Sequence, residues 1–238
     1  DPTTGIVSFT PAQGYIGTAK PLTVAANVTI PGEDGNTVTV EASTTYTPTV
    51  YGVKGNADTT KDVQGAVQTS KPGSERFSKL NTPENTPDGT NVALTTAKYS
   101  LEGADNEGKV VVPNEGTYKI DPTTGVVTFT PLPTFTGTAQ GVDVKVTANA
   151  TDKEGATVEV TATGKYTPVV EPATPTAEAA TSTDVQGATQ EHPVTFNDSK
   201  TTIDGVEKKV PIDPTTYTLL DENGKPATEV PAKDATGK

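Results

Sequence analysis

The chain repeats itself at a period near 120 residues, and a fixed period limits the fold more than any local pattern does. Asp1-Pro-Thr-Thr-Gly5 returns as Asp121-Pro-Thr-Thr-Gly125, and Tyr46-Thr-Pro48 returns as Tyr166-Thr-Pro168. Laid over 121–170 without a gap, residues 1–50 give 22 identities. Asp62-Val-Gln-Gly-Ala66 returns as Asp184-Val-Gln-Gly-Ala188, Tyr99-Ser-Leu101 answers Tyr217-Thr-Leu219, and Val112-Pro113 answers Val230-Pro231. A unit of about 118 residues accounts for all of these. The repeat assigns 51–170 to one complete unit, 1–50 to the C-terminal half of a unit, and 171–238 to the N-terminal half of another.

The edge of the half unit has a physical signature. Asp-Pro-Thr-Thr-Gly between Tyr118-Lys-Ile120 and Val126-Val-Thr-Phe129 reads as a hairpin loop. Proline presets φ for the second turn position, the aspartate caps the turn, and the glycine takes the left-handed position. Residue 1 therefore starts inside a hairpin whose preceding strand is not in the chain, so 1–50 is expected to be an incomplete sheet.

The 47 threonines and the alternating valines point to strands, because β-branched side chains are stiff at χ1 and suit a pleated surface. Val142, Val144 and Val146 alternate with polar residues, as do Val158, Val160 and Ala162. The first half unit repeats this at Leu22, Val24, Ala26, Val28 and Ile30, and at Val38, Val40 and Ala42. Further strands are expected near 92–94, 97–101, 109–112, 117–120 and 126–130. With 20 prolines and 22 glycines as punctuation, the reading is all-β: tandem immunoglobulin-like sandwiches of about 118–120 residues. Recurring aromatics (Phe9 and Phe129, Tyr15 and Phe135, Tyr99 and Tyr217) are expected to pack in the cores. Residues 168–183, rich in Pro, Ala and Thr, are expected to form an extended linker.

The same composition narrows the chemistry. There is no Cys, Met or Trp, and His192 is the one histidine. Thiol catalysis, disulfides, thiolate metal sites and multi-histidine sites are excluded. A net charge of −12 has the wrong sign for binding nucleic acid or an anionic membrane, and no apolar run approaches the roughly 20 residues that span a bilayer. Asp105-Asn-Glu-Gly108, Asp152-Lys-Glu-Gly155 and Asp221-Glu-Asn-Gly224 superficially look like calcium loops, but lack the alternating acidic spacing and distal Glu. They read as solvated turns, and His192, before Pro193, as an exposed residue in extended chain. Asn27-Val-Thr29 and Asn149-Ala-Thr151 have the glycosylation spacing, which matters only in a secreted eukaryotic protein. No residue is assigned a catalytic, cofactor-binding or metal-ligating role, no cofactor is expected, and the chain is not read as an enzyme.

The quoted repeat residues also carry a family resemblance. Val-Gln-Gly-Ala, Tyr-Thr-Leu-Leu-Asp-Glu-Asn-Gly at 217–224, Asp-Pro-Thr-Thr-Gly-Val-Val-Thr-Phe-Thr-Pro at 121–131, Phe-Thr-Gly-Thr-Ala at 135–139 and Tyr-Thr-Pro-Val-Val at 166–170 resemble the CshA-type fibril repeat. The stretch Ser70–Asn91 departs from the other copy and looks like an insertion. The resemblance implies a structural stalk of a cell-wall-anchored fibrillar adhesin of Gram-positive bacteria, projecting an adhesive region that lies elsewhere in the parent protein. The competing reading is a module that binds a host protein or glycan through strand edges and turn loops. Repetition of the core pattern with divergence of the loops favours the stalk. On that reading 1–50 is completed, head to tail, by the 171–238 region of an adjacent copy.

Overall fold

In the computed structural model, residues 1–79, 93–151, 154–213 and 216–231 are described. The chain divides into two compact units, Asp1–Val170 and Glu171–Lys238, and their regular structure, among the described residues, is strand apart from one helical turn.

The complete sandwich lies within the first unit. One sheet runs Lys109–Val112, Gly116–Ile120, Val127–Pro131, Gln68–Thr69. The other runs Gly137–Thr138, Thr157–Glu171, Val142–Thr151, Ala93–Leu101, with Asp58–Val63 also paired to Thr157–Glu171. The alternation read from the valines is the burial pattern observed. Val142, Val144, Val146, Ala148 and Ala150 face inward from one sheet, and Tyr118, Ile120, Val127 and Phe129 from the other. Tyr118 lies edge-on to Tyr166 across the layers, ring centres 6.3 Å apart, and closes the core between the sheets. Val158, expected on the apolar face, is exposed, although its cross-strand partner Ala150 is buried.

The Asp-Pro-Thr-Thr-Gly turn forms as its chemistry requires. Asp121 Oδ1 accepts the amides of Thr123 (2.8 Å) and Thr124 (3.1 Å). The Gly125 amide donates to the Asp121 carbonyl at 2.9 Å, with φ of 71° at Gly125. Those amide bonds favour the charged carboxylate and hold Asp121 below its ordinary pKa. The Asp1 copy is nearly superposable: Thr3 at 2.8 Å, Thr4 at 3.1 Å, and φ of 72° at Gly5.

The two glycines nevertheless differ in surroundings. A Cβ on Gly125 would stand 2.8 Å from Tyr99 Cγ, while one on Gly5 would meet nothing within 4 Å. Gly5→Ala is expected to cost only the left-handed backbone penalty, about 1–2 kcal/mol. Gly125→Ala adds a core clash and should cost more in a denaturant titration of the central repeat. Equal costs would contradict this.

Residues 1–50 hold the same local structure without its cover. Leu22–Pro31 pairs with Thr37–Tyr46 from Leu22↔Tyr46 to Pro31↔Thr37. The central hairpin pairs in the same register 120 residues later, from Val142↔Tyr166 to Thr151↔Thr157. Gly17↔Val50 likewise repeats Gly137↔Val170. Residues 126–131 contribute the strand Val127–Pro131 beside Gly116–Ile120, whereas the equivalent 6–11 forms no strand. The same residue pattern becomes a strand only where a partner strand exists.

Among its described residues the second unit contains three short antiparallel pairs: Thr176–Ala177 with Phe196–Asn197, Ser199–Ile203 with Val206–Val210, and Leu219–Leu220 with Pro226–Ala227. Asp204 and Gly205, at φ of 49° and 82°, make the tight turn of the middle pair.

Two stretches differ from the expectations above. Within 168–183, Pro168 and Val170 are buried parts of the Thr157–Glu171 strand, and Thr176–Ala177 is paired, so only part of the segment is free of strand. Tyr217 is exposed, unlike Tyr99, because the strands that bury Tyr99 have no counterpart in the second unit. Of the insertion-like Ser70–Asn91, residues 80–91 lie outside the described residues, and Gly73–Arg76 forms one helical turn.

Candidate functional site

The surfaces that set this chain apart are two apolar faces, several of whose residues have buried counterparts in the central repeat. Leu22 is 52% exposed and Val38 58%, and Val28, Ile30 and Val40 are also open to solvent. Val142, Ala148 and Ala150, the equivalents of Leu22, Val28 and Ile30, are buried in the central repeat, whereas Val158, the equivalent of Val38, is itself exposed. In the second unit Tyr217 is 65% exposed against 6% for Tyr99, and Phe196, Leu219, Leu220 and Val230 are also exposed. Monomeric proteins rarely leave contiguous apolar patches uncovered, and such patches mark interaction surfaces.

Both faces are already arranged like the core they resemble. Phe196 and Tyr217 stand 6.1 Å apart, as Phe77 and Tyr99 stand 5.8 Å apart in the central repeat. Phe9 and Tyr15 meet edge-on at 6.4 Å, as Phe129 and Phe135 do at 6.3 Å.

The central core holds one polar cluster that the residue pattern did not reveal. The Arg76 side chain is fully buried, with Nη2 3.7 Å from Asp58 Oδ2. The same Nη2 donates to the Lys71 carbonyl at 3.0 Å and to Ser70 Oγ. Its guanidinium lies 5.8 Å over the Tyr166 ring, a cation–π contact strengthened by exclusion of water. Burial lowers the Arg76 pKa from its ordinary value, with Asp58 opposing. Arg76 Nε and Nη1 find no hydrogen-bond partner among the described residues. Nothing in Gly73-Ser-Glu-Arg76 announces a core residue; the cue is Tyr166, 90 positions away.

A second buried acid serves the fold in a similar way. Glu115 accepts from Tyr118 Oη and, at 2.6 Å, from the Gln140 amide. Burial, then the hydrogen bond to Glu115, pushes the Tyr118 phenol well above its ordinary pKa. Tyr166 is pushed up to about 12, chiefly by burial. Both phenols bind their proton more tightly when folded than the ordinary value near 10 for an unfolded chain. The stability this confers is complete below pH 10 and falls as pH rises from 10 toward 12. Urea midpoints of the central repeat measured across that range should decline, and Tyr118→Phe should flatten the decline. A flat profile in the unmodified chain would contradict the assignment.

The acidic turns are occupied by their own backbone. Asp105 Oδ1 accepts the amides of Glu107 and Lys109, both at 2.9 Å. Asp221 Oδ1 accepts those of Asn223 (2.8 Å) and Lys225 (2.9 Å). In the third turn, Asp152 and Lys153 lie outside the described residues. Among the described residues no group of three His, Asp or Glu stands placed to hold a metal ion. His192 is exposed, its Nδ1 2.6 Å from the Pro193 carbonyl. Asn27 and Asn149 lie on paired strands. No lysine whose side chain is described is buried, and no described helix is long and apolar enough to cross a membrane. A groove of about 240 Å³ lies where Pro11–Ile16 and Val50–Val53 meet Val158–Thr161. Glu159 is the one carboxylate in its lining, which also carries Gln13, Tyr15, Tyr51 and Thr161.

Comparison with curated proteins finds no match. The family of the surface adhesin CshA repetitive domain matches at 52–170 and again at 172–238. The first match covers the complete sandwich and the second the residues that carry the open Phe196–Tyr217 face, so the chain belongs to the CshA repetitive-domain family of surface adhesins.

Proposed function

We propose that this chain is a stalk segment of a bacterial cell-surface fibrillar adhesin, a rod element that holds a distal adhesive region away from the cell wall and performs no catalysis. The observation that carries the reading is one closed sandwich flanked by two stretches that repeat its local geometry with their apolar faces open. A repeat module that contacts mainly its neighbours has this design, and length then scales with copy number. Neighbouring repeats meet head to tail, with residues 1–50 completed by the 171–238 region of an adjacent copy. The net charge of −12 keeps adjacent rods apart and soluble.

Binding of a host protein or glycan through the turn loops is the weaker reading, because the Asp105 and Asp221 carboxylates are engaged by their own backbone. The stalk reading is tested with covalent arrays of one, two, four and eight repeats in small-angle scattering. The maximum dimension should grow by a constant increment per repeat. A dimension that levels off, as in a collapsed cluster, would contradict a stalk.

A further inference from the structure

We infer that the tension a stalk carries is held, within each repeat, at a polar clasp of Thr60, Gln68, Tyr166 and the Val169 carbonyl, which locks the strand by which the chain enters the sandwich to the strand by which it leaves. The inference rests on the stalk reading above and names the atoms that resist the pull.

The central repeat has chain on both sides, so a pull along the stalk enters it near Tyr51 and leaves it near Glu171. Asp58–Val63 pairs with Thr157–Glu171, the last strand of the sandwich. Tension therefore passes directly from one to the other, and the strands between them in sequence lie beside its path. The entry strand has little apolar grip of its own. It reads Asp-Thr-Thr-Lys-Asp-Val, and Val63 is its one apolar side chain. Polar contacts must hold what burial does not.

Those contacts form a loop with fixed roles. Thr60 Oγ1 donates its one hydrogen to Gln68 Oε1 at 2.6 Å, so in the 2.8 Å contact with Tyr166 the phenol is the donor. Gln68 Nε2 donates to the Val169 carbonyl at 2.9 Å. The series of bonds starts on the last strand at Tyr166, crosses the entry strand at Thr60, and returns to the last strand at Val169. Gln68 also ties in the opposite sheet, where it pairs with Phe129. Gln68 and Tyr166 are buried, so water does not replace a broken bond until the strands part. Asp58, at the head of the entry strand, adds a second hold. Its Oδ2 accepts the Lys71 amide at 2.7 Å and faces Arg76, whose guanidinium lies over the Tyr166 ring.

The clasp residues recur with the repeat. Ser182 Oγ donates to Gln190 Oε1 at 2.6 Å, 122 residues beyond Thr60 and Gln68, and Tyr46 stands 120 residues before Tyr166. Serine for threonine keeps the hydroxyl, whereas the neighbouring Asp58 has Ala180 as its counterpart.

Constant-force stretching of the full chain by its two termini tests this. Rupture of the central repeat is recognised by a lengthening of roughly 40 nm, at about 3.4 Å for each of its residues. Forced unfolding follows the unfolding rate, which responds to interactions lost in the transition state. Thr60→Val and Tyr166→Phe should each shorten the lifetime under tension roughly ten-fold, the effect of leaving a buried hydrogen bond half made. The chain has no cysteine, so the same variants can also be pulled through Glu107→Cys and Glu154→Cys, a direction that bypasses the entry strand. Lifetimes in that direction should be nearly unchanged. Either variant suffices, so misfolding of one leaves the test intact.

Two results would overturn the inference. Equal shortening in both directions would make the clasp a general stabiliser with no special part in resisting tension. An unchanged lifetime for a folded variant pulled end to end would place the resistance elsewhere. Neither touches the scattering test, because an array can be elongated whichever contact resists the pull. A collapsed array, in turn, would remove the stalk and leave the directional difference standing.

Discussion

Truncating Phe77 to alanine is expected to cost the central repeat about 3–5 kcal/mol, the range for removing a buried aromatic ring. Phe196→Ala, the equivalent change in the second unit, is expected to fall within about 0.5 kcal/mol in the dilute chain, as exposed substitutions do. Phe77 is fully buried and Phe196 is 44% exposed, although each packs on a tyrosine at about the same distance. The contrast isolates what the covering hairpin contributes, since the local partner is the same in both. Chemical denaturation of the two variants at low micromolar concentration measures it. Comparable losses would mean that the second unit is buried in solution and that its face is not open.

Arg76→Ala is the other large effect. It leaves Asp58 buried beside Tyr166 with its guanidinium partner gone, and breaking one side of a buried ion pair costs about 3–5 kcal/mol. For a repeat of this size that is a fall in Tm on the order of 10–20 °C. Replacing both charges, as Arg76→Met with Asp58→Leu, should cost less than Arg76→Ala alone, because no uncompensated charge remains. A double variant less stable than the single one would show that the cluster stabilises the repeat beyond its own neutralisation. A single variant within 1 kcal/mol of the unmodified chain would place Arg76 in contact with water.

These effects also separate what was legible in the amino-acid sequence from what was not. The Asp121–Gly125 turn was legible because its determinants are local: a side-chain acceptor, a fixed proline φ and a glycine at positive φ. The strand faces were legible from valine alternation, which maps directly onto the two sides of a pleat. The register of the Leu22–Pro31 and Thr37–Tyr46 hairpin was legible from the repeat, because it pairs as Val142–Thr151 does with Thr157–Glu171. Arg76 was not legible, since its helical turn reads as a polar loop and its partners Asp58 and Tyr166 come from distant strands. Pro168 and Val170 were hidden by composition: a proline-rich run resembles a spacer, yet Val170 is held by pairing with Gly137. The Ser182–Gln190 bond carries no signal by itself and gains meaning only beside Thr60–Gln68.

The central claim is that one chain carries a whole sandwich beside a hairpin of the same register whose apolar face is open. Hydrogen exchange by mass spectrometry on the dilute chain tests it most directly. Amides of Val142–Thr151 and Thr157–Glu171 should be protected, because the core of the closed sandwich covers that hairpin. Amides of Leu22–Pro31 and Thr37–Tyr46 should exchange faster. Equal protection of the two hairpins would contradict the account.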